Sequence, residues 1–337
     1  MQITSDFYID FMNLNLYMIY KLRSQGLQFE EYDDWLQKKG NTIFNTHSMK
    51  KSEIQNTDIK NAYYEDLIFA YTNWMERIPD TIPRMIYKCK NFTCPEKYQA
   101  GLNLLERKIE NGDPLFPHFS KQILDTRIND RMLFNYGISH FHLGIKPDKI
   151  KPIMVNRTSD ILYAFIDNHN CYFIVIDKHN RWDDEELLQI LNNDFPNVLS
   201  NSLLSGFKPF NLSDDQRKKA RKNNLLTPIT IDNDVFSPPG GGTSVLGTSL
   251  KARINLDMFI TKLNNLEKEL IISLNEEQER IETEINKKIN GMNLSLIETD
   301  PLLKILDKEN NLLIEITNFD DNNFSFNIQT ISNGEMK

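Results

Sequence analysis

Apolar residues recur at helical spacing in two early stretches, Phe7–Tyr20 and Tyr63–Met75, where Tyr64, Leu67, Ile68, Tyr71, Trp74 and Met75 form one stripe. Between them, positions 39–60 are polar and predict a loop or linker. Pro95-Glu-Lys opens another helical stretch that runs to about Ile109, and Asn111-Gly-Asp-Pro114 stops it. A further short helix is expected over His118–Arg127. Residues 1–127 therefore predict a mostly helical N-terminal region.

The pattern changes near position 131. Met132–Tyr136 and Ile138–Leu143 predict strands. Asp160–Asp167 and Cys171–Asp177 are two apolar, β-branched and aromatic runs on either side of Asn168-His-Asn170, which predicts a hairpin. Trp182–Leu191 predicts a helix, with Asp183 and Asp184 favouring its N-terminus. Residues 128–197 thus form a small α+β core.

The third region, 198–337, begins with a loop over 200–212 and a helix capped by Ser213. The glycine-rich run Pro238–Ser244 is expected to be the most flexible of the chain. Over 255–290, Phe259, Leu263, Leu266, Leu270, Leu274, Ile281 and Ile285 are spaced near the heptad average, predicting a long helix that pairs within a hairpin or forms a seam between two copies. Two more strands are expected within 311–330, and no internal repeat is present. The fold class is α+β: a helical N-terminal region, a small antiparallel sheet core, and a C-terminal region with a long helix.

Composition narrows the function. The chain has 337 residues and a formal net charge of −8, which disfavours nonspecific coating of nucleic acid but leaves room for a local basic site. No apolar run reaches the ~18 residues of a membrane span, and the first residues lack the pattern of a signal peptide. A cytoplasmic protein without membrane contact is expected. Three cysteines, Cys89, Cys94 and Cys171, are too few for a disulfide framework and lack the partners of a zinc knuckle.

The chemistry concentrates in Gly137-Ile-Ser-His-Phe-His-Leu-Gly144. In a strand, His140 and His142 project to one face. They could simply face solvent on a half-polar strand. They could be two ligands of a metal, completed by His179, Asp177 or Asp130. Or they could move protons without a metal, because imidazole titrates near neutral pH. Cleavage of RNA by its own 2′-hydroxyl needs a base, an acid and cations for the phosphate. His140, His142 and His179 are candidates for the first two, with one of His140 and His142 as base and His179 as acid. Arg131 and Arg157, helped by Lys178 or Arg181, are candidates for the third. Arg217, Lys218, Lys219 and Arg221 are a second basic cluster able to hold phosphates or to form a solvated helix end. Thr243 and Ser244 would touch substrate if the glycine run closed as a lid; a P-loop lysine is missing there. Trp74, Arg77 and Arg84 are expected to pack, and Asp130 with Arg131 to form a structural pair.

The order of these segments resembles the small RelE/ParE/HigB-like toxins. Gly137–Leu143 stands for the family's first sheet strand, Arg157–Phe165 for its Arg-started second, and Cys171–His179 for its third, which ends in a basic or histidine residue. The resemblance spans about residues 130–195 and implies an RNA-cutting face, placed here in a longer phage-defence or abortive-infection effector. It also implies RNA as substrate, a protein inhibitor or antitoxin as partner, and no cofactor. Self-association through the 255–290 helix is a further expectation. The alternatives are a metal-dependent nuclease or phosphohydrolase on the same histidines, and a non-catalytic binding module.

Overall fold

A computed structural model describes residues 1–28, 63–179, 185–209, 212–225, 227–299, 302–320 and 323–331. The expected linker over 39–60, Arg181, and the acids at 183 and 184 lie outside these residues. In chain order the elements are β1 (Gln2–Thr4), α1 (Phe7–Ser24), α2 (Tyr63–Met75), β2 (Met85–Lys88), α3 (Gln99–Asn111), α4 (Arg131–Tyr136), β3 (Ile138–His142), β4 (Asp160–Ile166), β5 (Asn170–Lys178), α5 (Glu186–Asp194), α6 (Asp214–Lys222), β6 (Ile229–Ile231), β7 (Asp234–Phe236), α7 (Leu250–Glu276), α8 (Gln278–Glu284), β8 (Gly291–Glu298), β9 (Leu303–Asp307), β10 (Leu312–Asp320) and β11 (Asn323–Thr330). The protein is α+β. It divides into two units, 72–254 and 1–71 with 255–337, so its packing does not follow the boundaries expected at 127 and 197.

The 72–254 unit is built on a sheet of order β2-β5-β4-β3. β2 runs parallel to β5, and the β5-β4-β3 meander is antiparallel. The expected hairpin is β4–β5. Its turn is fixed by the Asp167 carboxylate, which accepts the N–H groups of His169 at 2.8 Å and Asn170 at 2.7 Å. Ile138, Ile161, Tyr163, Leu187, Leu188, Leu191 and Ile229 gather α4, α5 and β6 into one core. Elsewhere on the sheet Phe141 packs on Phe119 and Phe173 on Phe92, with ring centroids 4.8 and 5.7 Å apart.

Three expectations change here. Residues 132–136 form helix α4, not a strand. The Asp130 carboxylate accepts the Leu133 N–H at 3.0 Å, an N-cap, and Gly137 ends the helix at φ 70°. Met132 and Tyr136, one helical turn apart, both reach the core; their even spacing imitates a strand. Next, β2 is a sheet strand inside the region expected to be helical, and 118–127 contains only 3₁₀ turns, over Phe116–His118 and Lys121–Leu124. Finally, the glycine run is docked. Gly242 N–H donates to Phe134 O at 2.7 Å and Gly240 N–H to Asn135 O at 3.3 Å, which satisfies carbonyls at the C-terminal end of α4. A Cβ on Gly240 would lie 2.0 Å from Leu133 O, so a side chain there would force the two apart.

The other unit carries a sheet of order β1-β8-β9-β10-β11, in which β1 is parallel to β8 and the remaining pairs are antiparallel. Buried residues alternate cleanly along β8 and β9, as for a sheet covered on one face. The helix expected over 255–290 is divided into α7 and α8, followed by β8 from position 291. Its leucine stripe is already used inside the chain: Leu263, Leu266, Leu270 and Leu274 are buried, and Phe259 lies on Phe11 with centroids 4.9 Å apart. Among the described residues no helix is long and apolar enough to cross a membrane.

Candidate functional site

The short strand β3 is held from several sides. Gly101 of α3 lies so close that a Cβ would be 1.9 Å from Leu143 O, and Gly144 so close to Asn156 that a Cβ would be 2.0 Å from its carbonyl oxygen. With Gly137 turning the chain out of α4, both glycines that flank the histidine pair have packing reasons. All five residues of β3 are buried. His140 and His142 are 5% and 1% exposed, which excludes the solvent-facing half-polar strand.

The register explains which side chains meet. His142 pairs with Ile161, and Ile161 with Asp177. His179, two residues further on, comes back toward the pair. Its ring centroid is 4.9 Å from that of His142 and 6.1 Å from that of His140. The Asp130 carboxylate stands 3.8 Å from His140 Nδ1. The three histidines expected from sequence therefore do converge.

A fourth, His118, joins them. Its Nδ1 lies 2.9 Å from His142 O. A carbonyl only accepts, so the His118 proton is on Nδ1 and Nε2 carries the lone pair. On His142 the order is reversed. Thr158 N–H donates to its Nδ1 at 3.1 Å, so neutral His142 carries its proton on Nε2. Among the described residues neither Nε2 has a hydrogen-bond partner. His118 and Thr158 were not singled out in the sequence; one precedes β3 by some twenty residues and the other begins the return to β4, and neither fits a motif.

Burial pushes the proton affinity of all four rings down. His142 falls to about 3 through burial first, then the Arg157, His179 and His140 charges. His140 is lowered by burial against the opposing pull of Asp130, with Arg157 and Arg77 adding to the fall. His179 is lowered by burial, then His140 and Arg157. His118 is lowered by burial, against the His142 carbonyl bond. At neutral pH the cluster holds neutral imidazoles: lone pairs and N–H donors, not imidazolium acids.

Only His179 borders open space. It lines a groove of about 540 Å³ with Lys97, Ser159, Asp160 and Lys178. Lys97 Nζ lies 3.3 Å from Asp160 and over the Tyr98 ring, whose hydroxyl is 2.7 Å from Ser159 Oγ. Arg157 is exposed and acts on three of the histidines. Arg131, exposed at the start of α4, is not among the charges that shift any of the four.

The remaining candidates fall elsewhere. Lys219 is exposed on α6, where the helix expected after Ser213 does form, and Ser213 Oγ accepts the Gln216 N–H at 3.3 Å. The side chains of Arg217, Lys218 and Arg221 lie outside the described residues. Thr243 is 7% exposed, and Ser244 Oγ pairs with Thr248 Oγ1 at 2.8 Å, so both belong to the docked glycine run. Cys89, Cys94 and Cys171 are free, and burial raises the Cys89 thiol to about 12, far from a reactive thiolate. Among the described residues no group of three or more His, Cys, Asp or Glu side chains is placed to hold a metal ion. Trp74 Nε1 donates to Ile123 O at 2.7 Å, a packing role as expected.

No protein-family model, no curated protein and no solved structure matches the chain.

Proposed function

We propose that the histidine cluster and its groove form the active site of a metal-independent endoribonuclease. The observation that supports this is the convergence of His140, His142 and His179, with His179 alone reaching a groove edged by Lys97 and Lys178. The roles differ from those the sequence suggested. With its proton affinity lowered, His179 is the base that takes the 2′-hydroxyl proton. O2′ then attacks phosphorus, the P–O5′ bond breaks, and the 5′-oxygen leaves with a proton from groove water. The products are a 2′,3′-cyclic phosphate and a 5′-hydroxyl. Arg157 and Lys178 balance the charge on the pentavalent phosphate. His142 and His140 are positioning residues. Their neutral rings back His179, and added positive charge on either one lowers its basicity.

On this reading the protein is a toxin-like effector of the kind the RelE/ParE/HigB resemblance implies. An inhibitor protein then restrains it, and growth arrest follows when it is released. The test is cleavage of an end-labelled RNA in the presence of a chelator, with the same strand carrying a single 2′-deoxy substitution at the cut site as control. The expected outcome is cyclic-phosphate product from the RNA alone and loss of cleavage in His179→Ala. Cutting of the 2′-deoxy strand overturns the mechanism. Cleavage that requires added zinc or manganese moves the site to the metal-dependent nuclease or phosphohydrolase alternative.

A further inference from the structure

The 72–254 unit holds a second cavity, of about 360 Å³, bounded by Arg77, Arg84, Ser139, Phe165, Gly240 and Lys251 among others. That is the size range of small-molecule pockets. Its two arginines are 3% and 7% exposed. Arg84 Nε donates to Asp167 O at 2.8 Å, and Nη1 to Asp80 O at 2.8 Å and Ile82 O at 3.2 Å. No acceptor among the described residues meets its Nη2. Arg77 Nη1 donates to Asp125 O and Nη2 to Gln122 O, both at 2.9 Å, and among the described residues its Nε has no partner.

All five acceptors are uncharged carbonyls. Among the described residues neither guanidinium has a carboxylate at ion-pair distance. A buried cation normally has such a partner, because carbonyl dipoles repay only part of its lost hydration. Three acids line the cavity. Asp167 holds the β4–β5 turn, Glu76 pairs at 3.0 Å with Lys251, and Asp80, which is exposed, meets Arg84 through its backbone carbonyl. Burial draws Arg77 down to about 10 even against the fields of Asp130 and Asp125, the mark of a site that does not fully compensate its cation. Leu133, Phe134, Phe165 and Pro239 give the wall an apolar part beside polar groups such as Ser139 and Asn168.

We propose that this cavity binds a small organic anion, with its phosphate or carboxylate group against Arg84 and Arg77 and its apolar body against Phe165 and Leu133. The site is independent of the ribonuclease reading. Arg84 Nη2 is the guanidinium nitrogen left to donate to such an oxyanion, beside the Arg77 Nε–H.

Thermal melting and titration calorimetry on the full chain test this with four probes: a nucleoside 5′-monophosphate, an alkyl carboxylate, inorganic phosphate and the neutral nucleoside. One of the two organic anions is expected to raise the melting temperature and give a measurable Kd, and which of them does so tells phosphate from carboxylate. The neutral nucleoside is expected to do nothing. Arg84→Gln weakens binding at least tenfold. Because Arg84 also ties three carbonyls, Lys251→Ala at the rim, whose side chain is 58% exposed, is the companion variant and weakens binding two- to tenfold while the protein stays folded. The proposal is overturned if neither organic anion binds, if the neutral nucleoside or inorganic phosphate binds as tightly as they do, or if Lys251→Ala and a folded Arg84→Gln leave the Kd unchanged.

Discussion

Each unit buries polar groups beside a sheet strand, and the two do so differently. Asp307, at the end of β9, is fully buried, and its carboxylate is fully occupied. Oδ1 accepts the N–H groups of Asn293 at 2.9 Å and Glu309 at 3.1 Å, and Oδ2 accepts Asn310 Nδ2 at 2.7 Å. It is a buried carboxylate whose hydrogen bonds stitch β8 to the β9–β10 turn. His142, on β3, is almost as buried, yet one ring nitrogen is occupied and the other has no partner among the described residues. Proteins satisfy buried polar atoms almost without exception when stability is the only demand. On the proposed reading, the occupied Asp307 is a structural polar site and the His118–His142 pair, with its open ring nitrogens, is part of a chemical one.

The largest effect that would sharpen this contrast is on cleavage. His179→Ala should reduce RNA cleavage by about a hundred- to ten-thousand-fold, the usual worth of a positioned base. The ring is only partly buried, so circular dichroism and melting should barely change. Wild-type rates in that variant would remove the cluster from catalysis and leave the contrast without a functional side.

Asp307→Ala should show the opposite profile. It strands the N–H groups of Asn293 and Glu309 in the interior. Stability in denaturant titration should fall by about 3 kcal/mol, as for buried donors that lose their acceptor. Cleavage per folded molecule should be unchanged. A loss below about 0.5 kcal/mol would show that the carboxylate's hydrogen bonds do not hold the β8–β9–β10 corner together.

The pairing of legible and illegible features follows the same division. The β4–β5 hairpin could be read because its two runs are apolar and β-branched and the three residues between them are turn formers. The common face of His140 and His142 followed from the period of a strand. Their burial did not follow, because what covers β3 comes from distant parts of the chain: Gly101 on α3, His118 in a 3₁₀ turn, and Thr158 after a long loop. No local period encodes such contacts. Helix α4 was misread for a physical reason: Met132, Phe134 and Tyr136 alternate like a strand, while the Asp130 cap and the Gly137 stop at either end carry the helix signal. The docked glycine run was misread because glycine's freedom argues for mobility in isolation, whereas here it allows close approach to the α4 carbonyls. The two strands expected within 311–330 are present as β10 and β11, but β8 and β9 precede them at positions for which the sequence pattern predicts no element.

Acid should separate the two regions further. A histidine buried as the neutral base has a folded proton affinity below its unfolded one, so its contribution is intact above the unfolded value of about 6.5 and is lost as pH falls toward the folded value. For His142 that window runs from about 6.5 down to about 3. Within it the unfolded chain binds a proton that the folded chain does not, and each such histidine removes about 1.4 kcal/mol of stability per pH unit. Melting followed from pH 8 to pH 4 should show a decline that steepens below pH 6.5. A flat profile over pH 6.5 to 5 would mean that the rings gain their protons without opening the fold.

The smallest effect is the most discriminating. His142→Leu removes an acceptor from Thr158 N–H, which destabilises, and removes an unpartnered Nε2–H from the interior, which stabilises. The two are of the same order, so at pH 8 the net change should stay within about 1 kcal/mol. At pH 5 the wild type has lost about 2 kcal/mol through this one ring, and the variant has not, so their order of stability should cross. Asp307→Ala has no such compensation, because every group its carboxylate touches is a donor. If His142→Leu instead loses 3 kcal/mol at pH 8, the imidazole is as structural as Asp307, and the distinction drawn between the two buried sites fails at its centre.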